Sequence, residues 1–502
     1  MSEKVKLVST NIETSVLLIE MGLDEWTQEI PLEVKKLVNV GRLLSVGKPS
    51  NLVSPYFDAH YDLRHSVALE FGRLLDLNEY TIDRLLYHEI RPFEGAALKM
   101  MDRLPIFQEW EKSDLSDRRR MLFRETSFWS DYLERNEVGA VVFPAVPHQV
   151  YDFIIYSLCK SRGIKTLLFD SANPIIREVV GISETIENIG DLNLGLKIRE
   201  RFPKSDSIIE PQNVARDFWS AKANMLVDLD PKALSIQRTA IRSLKGAYLQ
   251  LSIAKLLRGN DEKTSEQQLV KIGKRFRRRF ALVRTRYEFS RVQNIFNLPE
   301  NFVFFPLHVQ PELAVSPLGG HFEEQLEAIR LVARYLPSGW RIIVKEHPDQ
   351  SVYWHRPTGF YRDLTQVPQV DFVSPNYSVD ELIKVCRAVI TISSSIGRQA
   401  IITGRPVGLL GSTWWSSAPG VFKVSTGKKM EEMFAQLKSW DSPIREELDR
   451  YVKDLQLATF SAVLYGQPAG MNVEELAEVK KCTLSNIPMI IGTWLSFNQD
   501  VK

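Results

Sequence analysis

Three polar side chains directly follow the apolar run 302–307. If the chain stays extended, as Pro311 favours at Gln310, then His308, Gln310 and Glu312 point to one side. A histidine, an amide and a carboxylate in that arrangement can orient a ligand and supply an acid, a base or a nucleophile. Glu312 and His308 are therefore candidate catalytic residues and Gln310 a candidate binding residue. A loop that satisfies its own backbone is the alternative.

A second polar cluster follows the mostly apolar stretch WRIIV at 340–344 in the same way. It consists of Lys345, Glu346, His347 and Pro348, at the predicted end of a buried strand. A lysine and a histidine at such a place can bind a phosphate or stabilise a departing one. The cluster is therefore a candidate anion site.

Three serines form the third cluster, after the apolar run 388–392. Ser393, Ser394 and Ser395 precede Gly397 and Arg398 at the predicted start of a helix. Free backbone N–H groups and the helix dipole make such a start a ready anion site. Capping of the helix by one serine is the simpler interpretation. Three serines with an arginine nearby favour phosphate binding.

All three clusters lie in one predicted β/α alternation over residues 301–423. Strands at 302–307, 340–345, 370–374 and 388–392 alternate with predicted helices, which is typical of a doubly wound parallel sheet. Ligands of such sheets bind beyond the carboxyl ends of the strands. The clusters therefore occupy the expected ligand-binding edge.

A similar pattern earlier in the chain predicts a second α/β region. Strands at 138–143 and 165–170 flank a helix that ends at Gly163, which gives a βαβ unit and a parallel sheet. His148 lies in the loop after the first strand and Asp170 ends the second. Both are weaker site candidates.

Four acidic and histidine residues near the N-terminus resemble a metal cluster by composition. They are Asp58, His60, Asp62 and His65. Asp62 and His65 fall at a predicted helix start, and surface charge explains such residues more often than a metal does. We therefore expect no metal here, and the sequence has no Walker loop, GxSxG, HExxH or GxGxxG motif.

A basic run stands out within the predicted helical stretch 213–297. Its cations are Lys271, Lys274, Arg275, Arg277, Arg278, Arg279, Arg284, Arg286 and Arg291, interleaved with apolar residues. Two interpretations stay open: a solvated helix face, or a patch for anionic lipid or an anionic glycan. Nucleic acid is not expected as the partner.

The bulk numbers fit a globular protein of two or three domains. The chain has 502 residues, a net charge of +2, 44% hydrophobic residues and three scattered cysteines. Those cysteines predict neither a disulfide framework nor a zinc site. Because the N-terminus lacks a signal-peptide pattern and no apolar run approaches ~20 residues, we expect a cytoplasmic protein.

Several segments together resemble the capsule polysaccharide biosynthesis family, which includes bacterial Kdo transferases. They are FVFFPLHVQPE, VSPLGG, WRIIVKEHP, ISSSIGRQAIITGRPV and PGVFKV, with AVPHQVYDFIIYSLCKSRGIKTLLF in the first region. The resemblance covers about 120 residues clearly. His347-Pro348 and the three serines also resemble the His-Pro and Ser-Ser motifs of bacterial enzymes that use cytidylate donors. The acidic motif of the sialyltransferases has no match, which leaves the sugar open.

The resemblance implies an α/β protein of the GT-B-like kind, with two Rossmann-like doubly wound domains facing a cleft. On this basis we expect an acceptor-side domain at 1–210, a helical basic insertion at 211–298, a donor domain at 299–440 and C-terminal helices at 441–502 that pack across the domains. The donor site then comprises Gln310, Lys345, Glu346, His347, Pro348, Ser393, Ser394, Ser395 and Arg398. His148 and Asp170 lie on the acceptor side.

The implied function is transfer of a sugar, with Kdo as one candidate, from a CMP-activated donor to a glycan or glycolipid in surface polysaccharide synthesis. A donor with one phosphate needs no metal if a helix N-terminus and cationic side chains neutralise it. Peripheral contact with an anionic inner membrane is expected through 271–291. Three alternatives remain: a CDP-glycerol-type polyol-phosphate transferase, a UDP-sugar 2-epimerase, and a non-catalytic assembly protein.

Overall fold

The computed structural model describes most of the chain. The described residues are 11–48, 50–63, 80–103, 114–171, 179–201, 218–219, 280, 282–293, 297–348, 350, 356–443, 445–464 and 472–497. The predicted helical insertion 211–298 and the basic run before position 280 therefore lie largely outside the described residues.

Thirteen strands in the described ranges form two sheets. The strands are β1 (Asn11–Ile19), β2 (Asn39–Gly47), β3 (Ala59–Asp62), β4 (Val138–Phe143), β5 (Lys165–Ser171), β6 (Val179–Ser183), β7 (Phe302–Pro306), β8 (Arg341–Lys345), β9 (Val370–Phe372), β10 (Ala388–Thr391), β11 (Val407–Leu409), β12 (Val421–Lys423) and β13 (Phe460–Ser461). The first sheet has the order β13-β6-β5-β4-β1-β2-β3, and the second β12-β11-β10-β7-β8-β9. The second sheet is parallel throughout, whereas β6 runs antiparallel to both its neighbours in the first.

Helices connect these strands. They are α1 (Ile30–Leu37), α2 (Arg84–Ile90), α3 (Glu94–Met100), α4 (Leu115–Arg135), α5 (Val150–Arg162), α6 (Asn193–Arg201), α7 (Gln325–Tyr335), α8 (Phe360–Thr365), α9 (Val379–Val385), α10 (Ser395–Ile402), α11 (Gly427–Gln436), α12 (Arg445–Ala458) and α13 (Val473–Ser496). Single 3-10 turns cover Arg91–Phe93, Met101–Arg103, Ile186–Asn188, Gly320–Glu323 and Leu437–Ser439. None of the helices in the described ranges is long and apolar enough to cross a membrane.

The second sheet is covered on both faces because its strands are apolar on both faces. All five residues of β7 are buried, as expected of a central parallel strand. Val303 and Phe305 pack into one layer with α7, α8 and α11. Phe302 and Phe304 pack into the other with α9, α10 and α12. This alternation is that of a doubly wound domain.

The first sheet is built by the same rule. Leu17 of β1 packs with α4 and α5 on one face, whereas Leu18 packs with α1 and α13 on the other. Helix α5 ends at Gly163, whose φ of 68° satisfies the left-handed position that glycine tolerates. The predicted βαβ unit therefore forms as β4, α5 and β5.

Each sheet contains a pair of neighbouring strands from which the chain continues to strands on opposite sides of the pair. In the first sheet, β1 leads through α1 to β2 on one side, and β4 leads through α5 to β5 on the other. In the second sheet, β7 leads through α7 to β8, and β10 leads through α10 to β11. Such topological switch points open a crevice at the carboxyl ends of the strands.

The C-terminal elements connect the two domains. Helix α12 packs on the second sheet, β13 extends the first, and α13 packs against α1. At the domain boundary the Ser416 hydroxyl donates to the Ile189 carbonyl oxygen over 2.8 Å. The fold is thus α/β, with two Rossmann-like domains in a GT-B-like arrangement.

One local prediction was wrong. Asp62, expected at a helix start, is the last residue of β3. It pairs in parallel register with Gly47 of β2, and this edge-strand pairing replaces the helix. His65 lies outside the described residues.

Candidate functional site

A hydrogen bond joins the ends of β7 and β10 at the switch point of the second sheet. The backbone N–H of Ser393 donates to Nε2 of His308 over 3.1 Å. The Ser393 hydroxyl donates to the Ala314 carbonyl oxygen at 2.6 Å, in the turn that follows β7. The histidine and serine clusters therefore form one unit.

His308 is a buried, neutral histidine. Because its Nε2 accepts from Ser393, the ring proton resides on Nδ1. Burial, together with the nearby His347 and Arg356, lowers the pKa of His308 to about 3. The buried Nδ1 has no hydrogen-bond partner in the part of the chain that the structure describes. This geometry favours a role in positioning the serine loop over the acid–base role expected from the sequence.

The serine cluster opens helix α10. Ser394 is the N-cap, and its side chain accepts from the Ile396 N–H at 3.2 Å. Ser395 is the first helical residue, so the N-terminus of α10 lies directly beside the His308–Ser393 bond. The hydroxyls, the first N–H groups and the helix dipole converge there.

Arg398 does not extend this serine cluster. It is buried in the second turn of α10, and its Nη1 donates to the Phe218 carbonyl oxygen at 2.5 Å. Arg398 thus contacts Phe218 in the structure, and its donor-binding role stays a prediction. Gly397 serves packing, because a Cβ there would lie 2.3 Å from the ring of the buried Trp415.

A buried ion pair supports the loop after β8. Arg356 is fully buried and binds both carboxylate oxygens of Glu346, with its Nε and Nη2 atoms at 3.0 and 2.7 Å. The Tyr361 hydroxyl also donates to Glu346, and the His347 N–H donates to it over 2.7 Å. Glu346 therefore shapes the His-Pro loop from inside the protein. Arg356 escaped the sequence analysis because it follows no strand and carries no motif.

Gln310 belongs to the same internal network. Its Oε1 accepts from Arg356 Nη1 at 2.9 Å, and its Nε2 donates to the Glu323 carbonyl oxygen at 2.6 Å. Its backbone N–H donates to the side chain of the fully buried Gln350 over 2.8 Å. Gln310 thus holds the turn after β7, and this is a positioning role.

Glu312 lies in a different environment from His308 and Gln310. The chain turns here, because the Glu312 carbonyl oxygen accepts from the N–H groups of Val315 and Ser316 at 3.1 and 3.0 Å. The expectation of an extended chain with three side chains on one side was therefore wrong. Glu312 is exposed, whereas His308 is buried.

Lys345 and His347 lie at the end of β8, the strand next to β7. Lys345 aligns with Pro306 and is mostly buried; burial lowers its pKa, and the neighbouring Glu346 opposes this shift. His347 is half-buried and Pro348 exposed. The structure thus brings a lysine and a histidine to the edge at which α10 begins.

The two candidate site residues of the first domain lie in different places. His148 lies at the end of the β4–α5 loop, at the switch point of the first sheet. Asp170, on β5, lines a crevice between the domains, together with Asp191, Trp414 and Leu455. No candidate residue of the second domain lines that crevice. Within the described ranges, no group of three or more histidine, cysteine, aspartate or glutamate side chains is arranged to hold a metal.

The fold and this site define a two-domain, GT-B-like protein. Residues 262–431 match the model of the family described as capsule polysaccharide biosynthesis protein. The resemblance noted in the sequence is thereby confirmed for this segment, which contains all three polar clusters of the second domain. No curated protein matches the chain.

Solved structures of similar architecture are distant. The beta Kdo 2,7 transferase KpsC of Thermosulfurimonas dismutans is 10% identical, with 93% of this chain and 98% of that chain covered and a TM-score of 0.31. The UDP-GlcNAc 2-epimerase of Methanocaldococcus jannaschii is 10% identical, covering 87% and 95%, with a TM-score of 0.24. Anabaena Alr3699/HepE, in complex with UDP and glucose, is 10% identical, covering 96% and 100%, with a TM-score of 0.24. These likenesses carry neither substrate nor mechanism over to this chain.

Proposed function

We propose that this protein is a glycosyltransferase of surface polysaccharide synthesis that uses a nucleotide-activated sugar. The observation that carries the proposal is the His308–Ser393 bond, which presents the N-terminus of α10 at the switch point of the donor-side sheet. Lys345 and His347 stand at the neighbouring strand end. Backbone N–H groups and cationic side chains there suit the phosphate of a donor and of its leaving group.

A cytidine monophosphate sugar is the proposed donor, with Kdo the first sugar to test. Such a donor has one phosphate, which the start of α10 and the side chains of Lys345 and His347 can neutralise together. Glu312, exposed on the turn after β7, is the proposed group facing the reacting carbon or the acceptor hydroxyl. Gln310, Glu346 and His308 hold this surface in shape.

Turnover of a donor panel tests the function. The protein is incubated with CMP-Kdo, CDP-glycerol or UDP-GlcNAc, with and without lipid-linked glycan fragments, and released nucleotide and modified glycan are measured. We expect CMP release that depends on the glycan and falls about 100-fold in Glu312→Gln. Turnover of CDP-glycerol alone would identify a polyol-phosphate transferase. Epimerised UDP-GlcNAc without acceptor would identify an epimerase, and no turnover would favour a non-catalytic assembly protein.

We also propose peripheral contact with an anionic membrane through the end of the basic run. Residues 282–292 are helical, and Phe289 anchors them in the core of the second domain. Three large hydrophobic side chains on this segment or just before it are exposed, to 72% at Phe280, 56% at Val283 and 61% at Tyr287. Exposed Arg286 and Arg291 accompany them, a composition suited to a lipid interface with negative charge.

Vesicle sedimentation tests this contact. We expect the protein to sediment with phosphatidylglycerol vesicles, but not with phosphatidylcholine vesicles, and to lose this binding in the double variant Val283→Ser, Tyr287→Ser. Leu85→Ser, which removes a leucine of α2 that is 74% exposed, is the control. Equal binding of the double variant and the wild type would contradict the proposal.

A further inference from the structure

The connection between β7 and α7, residues 307–324, reaches from the second domain to the first. Its Leu313 and Leu318 are half-buried, and both pack against the hydrophobic core of the first domain, in the layer that contains α4 and α5. Leu313 directly follows Glu312, the group proposed to face the reacting carbon. Because removing apolar surface from water is favourable, these two leucines anchor the connection on the neighbouring domain.

Polar contacts with α3 of the first domain add to this anchor. The Lys99 ammonium lies 2.6 Å from Glu324 Oε1, and this ion pair joins the two domains. The Ser316 hydroxyl donates to the Ala96 carbonyl oxygen over 3.4 Å. The first domain therefore holds the connection through both apolar and polar groups.

Lys99 is placed to bind acidic groups of both domains. Its side chain is 23% exposed, and Asp102 of the first domain lies 3.9 Å from its Nζ. Glu323 of the second domain also faces α3, because its Oε1 would lie 3.4 Å from a Cβ at Gly95. Burial raises the pKa of Glu323, whereas the charge of Lys99 lowers it. Lys99 thus acts on Glu323 as well as on its ion-pair partner Glu324.

On its other side, the connection contacts the loops beside the proposed phosphate site. The Ala314 carbonyl oxygen accepts from the Ser393 hydroxyl at 2.6 Å, and the Leu318 carbonyl oxygen accepts from the Ser412 N–H at 2.9 Å. Ser393 precedes α10 and Ser412 follows β11, so both contacts lie at the carboxyl edge of the second sheet. The connection therefore lies between the first domain and the loops after β10 and β11.

Glu312 begins the turn that carries these contacts. Its carbonyl oxygen accepts from the N–H groups of Val315 and Ser316 at 3.1 and 3.0 Å, which ties its backbone to the residue that meets Ala96. Its neighbour Leu313 is one of the two apolar anchors. The position of Glu312 therefore depends on how the first domain holds this turn.

We propose that Lys99 and Leu313 are positioning residues, through which the first domain holds Glu312 at the reacting carbon of a sugar bound to the second domain. The inference rests on the proposed function. Both residues act through the connection and not on the reacting atoms. Because a displacement of about 1 Å can cost a reacting group about 100-fold in rate, loss of these contacts should lower kcat more than donor binding.

Steady-state kinetics with CMP-Kdo and lipid-linked glycan fragments test the assignment. We expect Lys99→Met to lower kcat about threefold and Leu313→Ala about tenfold, with KM for CMP-Kdo unchanged. Lys99→Arg, which keeps the charge, should restore the rate. Two controls remove matched groups within a single domain and should keep the wild-type kcat. Lys35→Met breaks an ion pair of 2.9 Å with Asp58, and Leu331→Ala removes a half-buried leucine of α7.

A double-mutant cycle tests the ion pair itself. Glu324→Gln should slow transfer about as much as Lys99→Met does, and the double variant should be no slower than either single variant. Effects that multiply in the double variant would overturn the assignment of Glu324 as the partner through which Lys99 acts.

Amide hydrogen exchange separates this inference from the proposed function. We expect residues 312–324 to exchange about threefold faster in Lys99→Met and about tenfold faster in Leu313→Ala, with no change in the two controls. A wild type that transfers sugar, with unchanged kcat and exchange in both variants or with a change in KM alone, would overturn the positioning role and leave the function standing. A wild type without transfer would overturn the function and the role of Glu312 with it, whereas the expected exchange pattern would still establish the contact between the domains.

Discussion

The imidazole of His308 and the backbone of Ser393 are bonded across the crevice of the second sheet, with 3.1 Å between Nε2 and N. These atoms stand at the ends of β7 and β10, the two strands from which the chain departs in opposite directions. The bond sets where the serine loop enters α10. The histidine is thus part of the frame on which the proposed phosphate site is built.

Substituting His308 with glutamine or with asparagine should therefore have different effects on stability. Glutamine can place its side-chain oxygen near the position of Nε2 and keep the bond, whereas asparagine is too short. We expect His308→Asn to cost about 1–3 kcal/mol of the free energy of unfolding, because the Ser393 N–H loses its acceptor, and His308→Gln to cost less. Urea unfolding measures both. Equal losses would show that the bond does not matter.

In the Glu346–Arg356 ion pair, removing one partner should lower stability more than replacing both. Both side chains are almost fully buried, so Arg356→Met leaves a carboxylate without its countercharge and should cost about 3–5 kcal/mol. The double variant Glu346→Gln, Arg356→Met should cost less than Arg356→Met alone. Arg362→Met, which removes an exposed partner of Asp363, should change stability by less than about 0.5 kcal/mol. A double variant less stable than Arg356→Met would contradict this account.

Glu323 makes the stability depend on pH. Its carboxyl lies between the domains, 3.4 Å from the Ser316 hydroxyl, and burial raises its pKa from 4.5 to about 7, with nearby Lys99 opposing the shift. Because the folded state holds this proton more tightly than the unfolded state, the contribution is full below pH 4.5. It is lost as the pH rises to about 7.

Glu323→Gln should remove that dependence. We expect the variant to gain about 1–3 kcal/mol over the wild type at pH 8 and little at pH 4.5, as measured by thermal unfolding across the range. Glu431→Gln, on the exposed face of α11, should track the wild type at every pH. A Glu323→Gln variant that parallels the wild type would refute the assignment.

Replacing Gly397 with alanine should destabilise the protein, which is the reverse of the usual effect of this substitution in a helix. Alanine normally favours a helix over glycine by about 1 kcal/mol. Here the added Cβ would meet the Trp415 ring at 2.3 Å, so Gly397→Ala should destabilise the protein by about 1–3 kcal/mol and weaken nucleotide binding. Gly95→Ala, in α3 with its nearest contact at 3.4 Å, is the matched control and should not destabilise. Chemical unfolding distinguishes the two.

Local signals in the sequence were enough to predict β7, β8, β9, β10 and the start of α10. The apolar run of β7 and the serine cap of α10 depend only on neighbouring residues, which is why both were predictable. Contacts between residues far apart in the sequence were not predictable in this way. Arg356 meets Glu346 only after the chain folds back, and the burial of His308 depends on elements far away in sequence.

The sequence alone also could not predict which residues of the first domain come together. Glu20 directly follows β1, and no motif in the sequence marks it. Only the order of β1 and β4 in the sheet brings Glu20 and His148 to the ends of two neighbouring strands. An isolated glutamate after an apolar run was the signal available in the sequence.

The central claim is that the start of α10 and the His-Pro loop bind a cytidylate phosphate. The most direct test is thermal unfolding of the wild type, His347→Ala and His321→Ala with CMP, CDP, UMP, UDP or GDP. His321 is an exposed histidine of the same domain and is the control. A nucleotide at ~100 times its dissociation constant should add ~2.7 kcal/mol to the free energy of unfolding. We predict such a shift with CMP in the wild type and His321→Ala, and its loss in His347→Ala. A shift with UMP or UDP alone, or the same CMP shift in all three proteins, would contradict the account.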